Sequence, residues 1–511
     1  MTTFPLPIDR TAATPIYQQI YDGLRQAILS GRLRSGERIP SSRRLAEDLC
    51  VSRFPVLAAY DQLLHEGYLT GRAGSGTYVS SAVPDDLLHP LASQAVAHPT
   101  PSLRSTPSVS AVAGTGPFEI DLPALDQFPH AAWSRMLARH ARALTPAQMS
   151  YDDPAGMLSL RVAIADHLRT ARAVRCEADQ VILVSGSQAA LRLSAAVLLQ
   201  PGDRVAIEEP GYFGARNALS AGGAELIPVP VDSEGLSVAS LPGRRKRVRA
   251  VYVTPSHQYP LGASMSMGRR FALLEWARRQ DAWVLEDDYD SEFRYVSRPL
   301  GSLQGMDAQA RVIYIGTFSK ALFPAMRVGY LVVPPSLREE FLAARKTFDF
   351  APPSLYQLVL AEFLADGHFA RHLRRMRGVY LERRNALLTG VEQHCAGRLA
   401  VHNADGGLHV TALLPDGSDD LVVVRRLAEC GLIARALTTC YLGTSRRPGL
   451  LLGFGASTAE QLREACRVLG EVLSGAEGAA TSREYRSPPS STPTSRRRRP
   501  RMPARSEPNR A

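Results

Sequence analysis

The chain has 511 residues, of which 45% are hydrophobic. That is more than one ordinary core holds, and it predicts at least two folded domains. No uninterrupted apolar run of about 18 residues occurs, which excludes an obvious membrane-spanning helix; the opening MTTFPLPIDR also lacks the layout of a secretory signal, so a soluble cytoplasmic protein without membrane partners is expected. The formal charge of +11 sits mostly at one end: residues 481–511 carry nine Arg against two Glu, whereas residues 1–80 carry nine Arg against seven acids, so bulk charge says little about nucleic acid.

Taken in chain order, residues 14–80 read as a small α/β module. PIYQQIYDGLRQAIL places Ile16, Ile20, Leu24 and Ala27/Ile28 at helical spacing. Ser41 and Ser42 can cap a helix through SRRLAEDLC, and Ser52 can cap the next, RFPVLAAYDQLLHEGY. The expected apolar stripe of that third helix is Val56, Leu57, Tyr60, Leu63 and Leu64. LTGRAGSGTYV reads as a hairpin around Gly74, Ser75 and Gly76. Residues 81–117 are rich in Ala, Ser, Pro and Thr, a flexible-linker composition.

From 118 to 473, short apolar stretches alternate with helical ones. QVILVSGS, DRVAIEE, RAVYVTP, AWVLEDDY and RVIYIGTFS read as buried strands, separated by segments such as QAALRLSAAVLLQ and MGRRFALLEWARRQ. This predicts an α/β fold with a mainly parallel sheet and helices on both faces. A smaller α+β unit follows from about 360, and residues 474–511 read as a disordered basic tail. Such a tail either adds sequence-independent DNA affinity or is simply solvated.

Six scattered cysteines, with no CxxC pair, predict neither a zinc site nor a disulfide framework, and no metal is expected. Of the 60 Lys and Arg residues only Lys246, Lys320 and Lys346 are Lys. Lys forms an imine with a carbonyl and Arg does not, so a Lys inside a motif merits inspection.

The N-terminal pattern IPSSRRLAEDLCVSR…AAYDQLLHEGYL…GSGTYV resembles the GntR-type winged helix–turn–helix. That resemblance implies double-stranded operator DNA as partner. Ser52 and Arg53 would enter the major groove at the start of the second helix of the pair, Arg43 and Arg44 would touch backbone, and the wing of Gly74, Ser75, Gly76 and Thr77 would approach phosphate or the minor groove. A winged helix used for protein contacts is the other reading. Three positions depart from the family's pattern: Cys50 stands where Gly is usual in the turn, and Phe54 and Pro55 replace a small polar pair.

IYIGTFSKALFPAMRVGYLV resembles the cofactor-lysine motif of fold-type I aminotransferases, which implies pyridoxal 5′-phosphate on Lys320. Arg327 would grip the phosphate, with Thr317 and Ser319 adding hydroxyls. VSGSQAAL forms a strand, turn and helix start whose Gly186, Ser187 and Gln188 would cup the phosphate. In LEDDYDSEFRY the resemblance implies Asp287 on the pyridine nitrogen and Tyr289 on the ring hydroxyl. In EEPGYFGARN it implies Tyr212 stacked on the ring, and in YDDPAG it implies Tyr151 reaching the phosphate of a neighbouring subunit. TPSHQYPLG, with His257, is the form found in the MocR/GabR regulators, which join such a domain to a GntR-type winged helix. The resemblance covers residues 14–80 and 118–473.

It implies four parts: a DNA-binding domain over 1–80, a linker over 81–117, an aminotransferase-like domain over 118–473 and a tail over 474–511. It further implies a head-to-tail homodimer, regulated by the cofactor itself or by an amine or amino acid. Tyr259 replaces the Asn that contacts the ring hydroxyl in aminotransferases, and Leu451 replaces the Arg that binds a substrate carboxylate. Arg446 and Arg447, just upstream, are the nearest substitutes in sequence. A working aminotransferase with an accessory DNA-binding module is the second reading, and a degenerate scaffold the third.

Overall fold

The computed structural model describes residues 6–72, 75–81, 116–150, 153–295, 301–348, 351–402 and 404–481. Gly74, Tyr151 and nearly all of the linker and tail expected from the sequence lie outside them. The chain divides into two compact units, Met1–Ser105 and Thr106–Ala511.

The first unit holds helices α1 (Ile16–Leu29), α2 (Ser42–Asp48) and α3 (Arg53–His65) and the hairpin β1 (Leu69–Arg72) and β2 (Gly76–Val79). Ile20, Leu24, Ala27 and Ile28 of α1 pack on Leu45 of α2 and Val56, Ala59, Tyr60 and Leu63 of α3. Each large apolar side chain so buried contributes roughly 1.5–3 kcal/mol. The expected stripe on α3 is corrected: Leu57 and Leu64 are exposed, and Ala59 takes the inward place, because positions 56, 59, 60 and 63 follow one face of a 3.6-residue turn. Ser41 caps α2 by accepting from the Arg44 N–H at 3.3 Å, whereas Ser52 stands at the N-cap of α3 without a side-chain cap bond. Cys50 occupies the turn with φ +52, the left-handed region that favours glycine.

The second unit is built on an eight-stranded sheet: β3 (Val181–Val184), β4 (Arg204–Glu209), β5 (Glu225–Asp232), β6 (Gly235–Leu236), β7 (Ala250–Val253), β8 (Trp283–Asp288), β9 (Val312–Thr317) and β10 (Gly329–Val332). Its spatial order is β3-β10-β9-β8-β7-β4-β5-β6. β5, β4, β7, β8 and β9 run parallel, as expected, while β10 lies antiparallel to both β9 and β3. The segment 318–328 between β9 and β10 holds no crossover helix, so the chain returns alongside β9 in the opposite sense.

Alternate strand residues feed different cores. Ile182, Ile207, Tyr252, Leu285 and Ile313 pack with the helices Ser187–Leu198 and Phe213–Ala221, while Val251, Val253, Val284 and Val312 pack with Met267–Gln280. β5 escaped the sequence reading because its prolines, Pro228 and Pro230, argue against a central strand; it sits next to the short edge strand β6.

A four-stranded antiparallel sheet, β11 (Ala400–His402), β12 (His409–Leu413), β13 (Arg435–Ala436) and β14 (Gly449–Gly453), has the order β11-β12-β14-β13. The final helix runs Ala459–Thr481, past residue 473 where a tail is expected; its continuation through GAEGAAT includes alanines that favour helix. Among the described residues no helix is long and apolar enough to cross a membrane.

Candidate cofactor site and DNA-binding face

The carboxyl ends of the parallel strands converge on a cavity of about 340 Å3, the usual place for a ligand in an open α/β sheet. β9 delivers Lys320 to it, β8 delivers Asp287, and the turn after β3 delivers Gly186.

Strand alternation separates the acids of LEDDYD. Asp287 faces the cavity, whereas Asp288 turns into a buried pair with Arg172 (2.8 Å), and Glu286 accepts the backbone N–H groups of Leu303 and Gln304 at 2.8 and 2.9 Å. Asp287 Oδ2 accepts a hydrogen bond from the Tyr252 hydroxyl at 2.8 Å, while its buried Oδ1 has no partner among the described residues. Burial pushes the Asp287 carboxyl up to about 7, although Lys320 nearby works against the rise.

Gly186 precedes the helix Ser187–Leu198 with φ +95, and no side chain caps that helix. A Cβ on Gly186 would stand 3.6 Å from the Arg327 guanidinium. Arg327 itself is exposed toward the cavity and makes no hydrogen bond or ion pair among the described residues. The free N–H groups of a helix start beside an unpaired guanidinium make an anion cradle. Thr317 and Ser319 border it, joined by a 3.0 Å hydroxyl contact. Tyr212 also lines the cavity, accepting from the Gln188 amide at 3.2 Å and packing edge-on to Tyr259 at 5.5 Å.

Tyr289 lines the cavity and His257 does not. The His257 Nδ1 lies 2.9 Å from the Tyr289 hydroxyl and 3.0 Å from Asp290 Oδ2, so His257 stands one layer behind and orients Tyr289.

Arg435 and Asp121 are among the lining residues that escaped the sequence reading. Arg435, on β13, donates to the Tyr259 hydroxyl at 3.0 Å, and its guanidinium is 3.5 Å from Asp121. In register it is opposite Leu451 on β14, so a guanidinium enters beside the position where the sequence lacks one. Arg446 and Arg447 are not among the residues lining the cavity. Arg446 bonds the Gly443 carbonyl, and Arg447 borders a separate depression with Glu209. Asp121 accepts from the Lys320 Nζ at 2.8 Å through its carboxylate and at 2.9 Å through its carbonyl. Neither residue carries a periodic or motif signal: β13 is two residues long, and Asp121 lies in an irregular stretch.

Comparison with known proteins agrees with this geometry. Residues 16–79 match the model of bacterial regulatory proteins of the gntR family, and residues 124–469 match aminotransferase class I and II. The protein described as a probable rhizopine catabolism regulatory protein, MocR, of Rhizobium meliloti is 39% identical over 464 residues, covering 90% of this chain and 94% of its own. The chain belongs to the MocR/GabR family of GntR-type transcriptional regulators. Another member, the HTH-type pyridoxine biosynthesis transcriptional regulator PdxR of Corynebacterium glutamicum, is 35% identical over 484 residues, covering 93% of this chain and 99% of its own. Among solved structures, the multiple substrate aminotransferase of Thermococcus profundus superposes with a TM-score of 0.67 at 27% identity, over 72% of this chain and 94% of that one. The larger unit of this MocR-type regulator therefore has the fold of the pyridoxal-phosphate aminotransferases, and the smaller is a helix–turn–helix of a DNA-binding class.

On the DNA-binding unit of the regulator, Arg43, Arg44, Ser52 and Arg53 are all exposed. Arg53 Nε reaches Ser42 Oγ at 3.2 Å, and Arg44 pairs with Asp48 at 3.1 Å. Phe54, beside Arg53 at the start of α3, is 78% exposed, an unusual state for a large apolar side chain. In the wing, Ser75 and Tyr78 share a 2.6 Å hydroxyl contact, Arg72 lies over the Tyr78 ring, and Gly76 and Thr77 border a depression that includes Arg38.

Proposed function

We propose that this regulator holds pyridoxal 5′-phosphate on Lys320 and an operator on its winged helix, as a cytoplasmic head-to-tail homodimer whose DNA affinity responds to the cofactor or to a small amine or amino acid. One observation carries the reading: the Lys320 amine, the unpaired Arg327 guanidinium and the unpartnered Asp287 Oδ1 meet in one cavity. A buried carboxylate oxygen without a partner is costly, and a protonated ring nitrogen satisfies it. The phosphate fits the cradle of Gly186, Ser187, Gln188, Thr317, Ser319 and Arg327. Tyr212 offers a ring face, and Tyr289, oriented by His257, offers a hydroxyl. Tyr151 of the neighbouring subunit is assigned to the phosphate by family resemblance alone.

When bound, this cofactor supplies an electrophilic carbon to which primary amines add. The chain's own part is to hold it: Lys320 gives the covalent anchor, and Asp287 keeps the ring nitrogen protonated. Arg435 gives a ligand carboxylate a charged partner. Any control of DNA requires that the ligand bind the two DNA-binding states unequally. Purified protein with added pyridoxal phosphate is expected to show an absorption band near about 420 nm, abolished by borohydride and absent in Lys320→Ala. No band with excess cofactor defeats the cofactor half of the proposal and leaves the winged helix standing.

The second reading, a working aminotransferase, gains from Arg435, which restores a carboxylate partner that Leu451 removes. Steady-state turnover of amino donors with keto acids separates the two, because a regulator that only senses shows at most a single turnover.

A further inference from the structure

We infer that Asp121 is a built-in competitor for the ligand's carboxylate, and that the ligand is accordingly a carboxylate-bearing amine that must displace Asp121 from Arg435. This rests on the cofactor site proposed above and adds to it the ligand's chemistry and its point of action.

Asp121 places one carboxylate oxygen 2.8 Å from Lys320 Nζ and the other 3.5 Å from the Arg435 guanidinium. A carboxylate between an amine-reactive centre and an arginine occupies the position that the acid group of an amino acid would take. Burial alone would push Asp121 up, yet Lys320 and Arg435 hold it down to about 2, so it is fully charged. Once Lys320 is committed to the cofactor, Arg435 remains as its partner. The Tyr259 hydroxyl, bonded to the same guanidinium nitrogen that faces Asp121, holds Arg435 in place for whichever carboxylate pairs with it.

Asp121 also has a φ of +78, a left-handed conformation that few residues besides glycine, asparagine and aspartate adopt. It is the crest of a strap fixed at both ends. On one side the Phe118 carbonyl accepts from Gly453 at 2.8 Å and the Pro117 carbonyl accepts from Ile433 at 2.9 Å. On the other side the Ala124 N–H donates to the Tyr380 hydroxyl at 2.9 Å. The strap crosses the glycines of β14 so closely that a Cβ on Gly453 would meet the Glu119 carbonyl at 1.9 Å. Ligand entry releases the crest of the strap, which is the stretch through which the chain enters this domain from the linker. That gives the ligand a covalent route toward the DNA-binding unit.

The test is calorimetric titration of the full-length protein, with and without cofactor, using propionate and propylamine as probes. Asp121→Asn keeps the side-chain shape and tolerates the left-handed backbone while removing the charge. It is expected to bind propionate about ten- to a hundredfold more tightly than the native chain, the change that follows loss of a charged competitor. Propylamine, which has no acid group, should show no such gain, and Asp121→Asn with Arg435→Gln should lose the gain. In the native protein, saturating propionate should speed hydrogen exchange at residues 119–122. Equal propionate affinity in Asp121→Asn and native protein, or no measurable propionate binding by Asp121→Asn, overturns the inference. The titration without cofactor, and the roughly 420 nm band and DNA binding of the same samples, report failure of the underlying cofactor reading separately.

Discussion

Asp287, Glu208 and Glu286 are carboxylates almost wholly removed from solvent, and burial pushes each up to about 7. An unfolded carboxyl titrates near about 4. Their folded forms therefore favour the proton: the stability they contribute is complete below about pH 4 and is lost as pH rises through about 7. Cofactor-free protein is thus expected to melt at a lower temperature at about pH 8 than at about pH 6, with Glu208→Gln flattening the slope in a calorimetric pH series. Asp121, held low by its cations, has the opposite sign, but its loss falls below about pH 4 and outside that range. At Gly186 the backbone conformation disfavours a side chain, at a cost to both fold and site. Gly186→Ala should destabilise by about 1–3 kcal/mol through its φ of +95 and weaken cofactor binding measured from the visible absorption band; unchanged affinity would remove this turn from the phosphate cradle.

The winged helix was legible in the sequence at the level of whole elements, because α1 and α3 announce themselves by apolar spacing and α2 and α3 by serines at their starts. The inward face of α3 was less legible: Leu57 and Leu64 look like core by hydrophobicity, and Ala59 does not, yet geometry buries Ala59. Two consequences belong to these elements. Cys50 holds the turn between α2 and α3 at φ +52, so Cys50→Gly should raise the unfolding free energy of this unit by up to about 1 kcal/mol, read from its own calorimetric transition. Phe54, exposed at the start of α3, suits contact with a thymine methyl. Phe54→Ala should relax preference at one or two operator positions in a selection from random DNA while leaving the salt dependence intact; Arg43→Ala, by contrast, should lower the salt slope by about one unit across all sequences.

Across the whole chain, motifs made of consecutive residues were readable, and assemblies made of distant ones were not. Lys320, Arg327 and Asp287 were legible as candidates because each has a recognisable sequence around it, Asp287 on β8, Lys320 just after β9 and Arg327 in the turn before β10. Arg435 and Asp121 join Lys320 in one cavity only through folding, across separations of more than a hundred residues, and neither belongs to a periodic element. The reversal at β10 was hidden for a similar reason: an apolar strand reads the same in either direction, and only the short return from β9 decides its sense. The placement of Arg435 has an evolutionary corollary. A charge carried on β14 would lie in the middle of a packed sheet, where each change of side chain disturbs neighbours on both sides. β13 is the two-residue margin of that sheet, bordered by one strand alone. Relatives could lengthen, shorten or tilt that margin, and so alter the reach and angle of the guanidinium, without rebuilding the core. Ligand preference in such a scaffold can drift quickly while the fold and its cofactor cradle stay fixed.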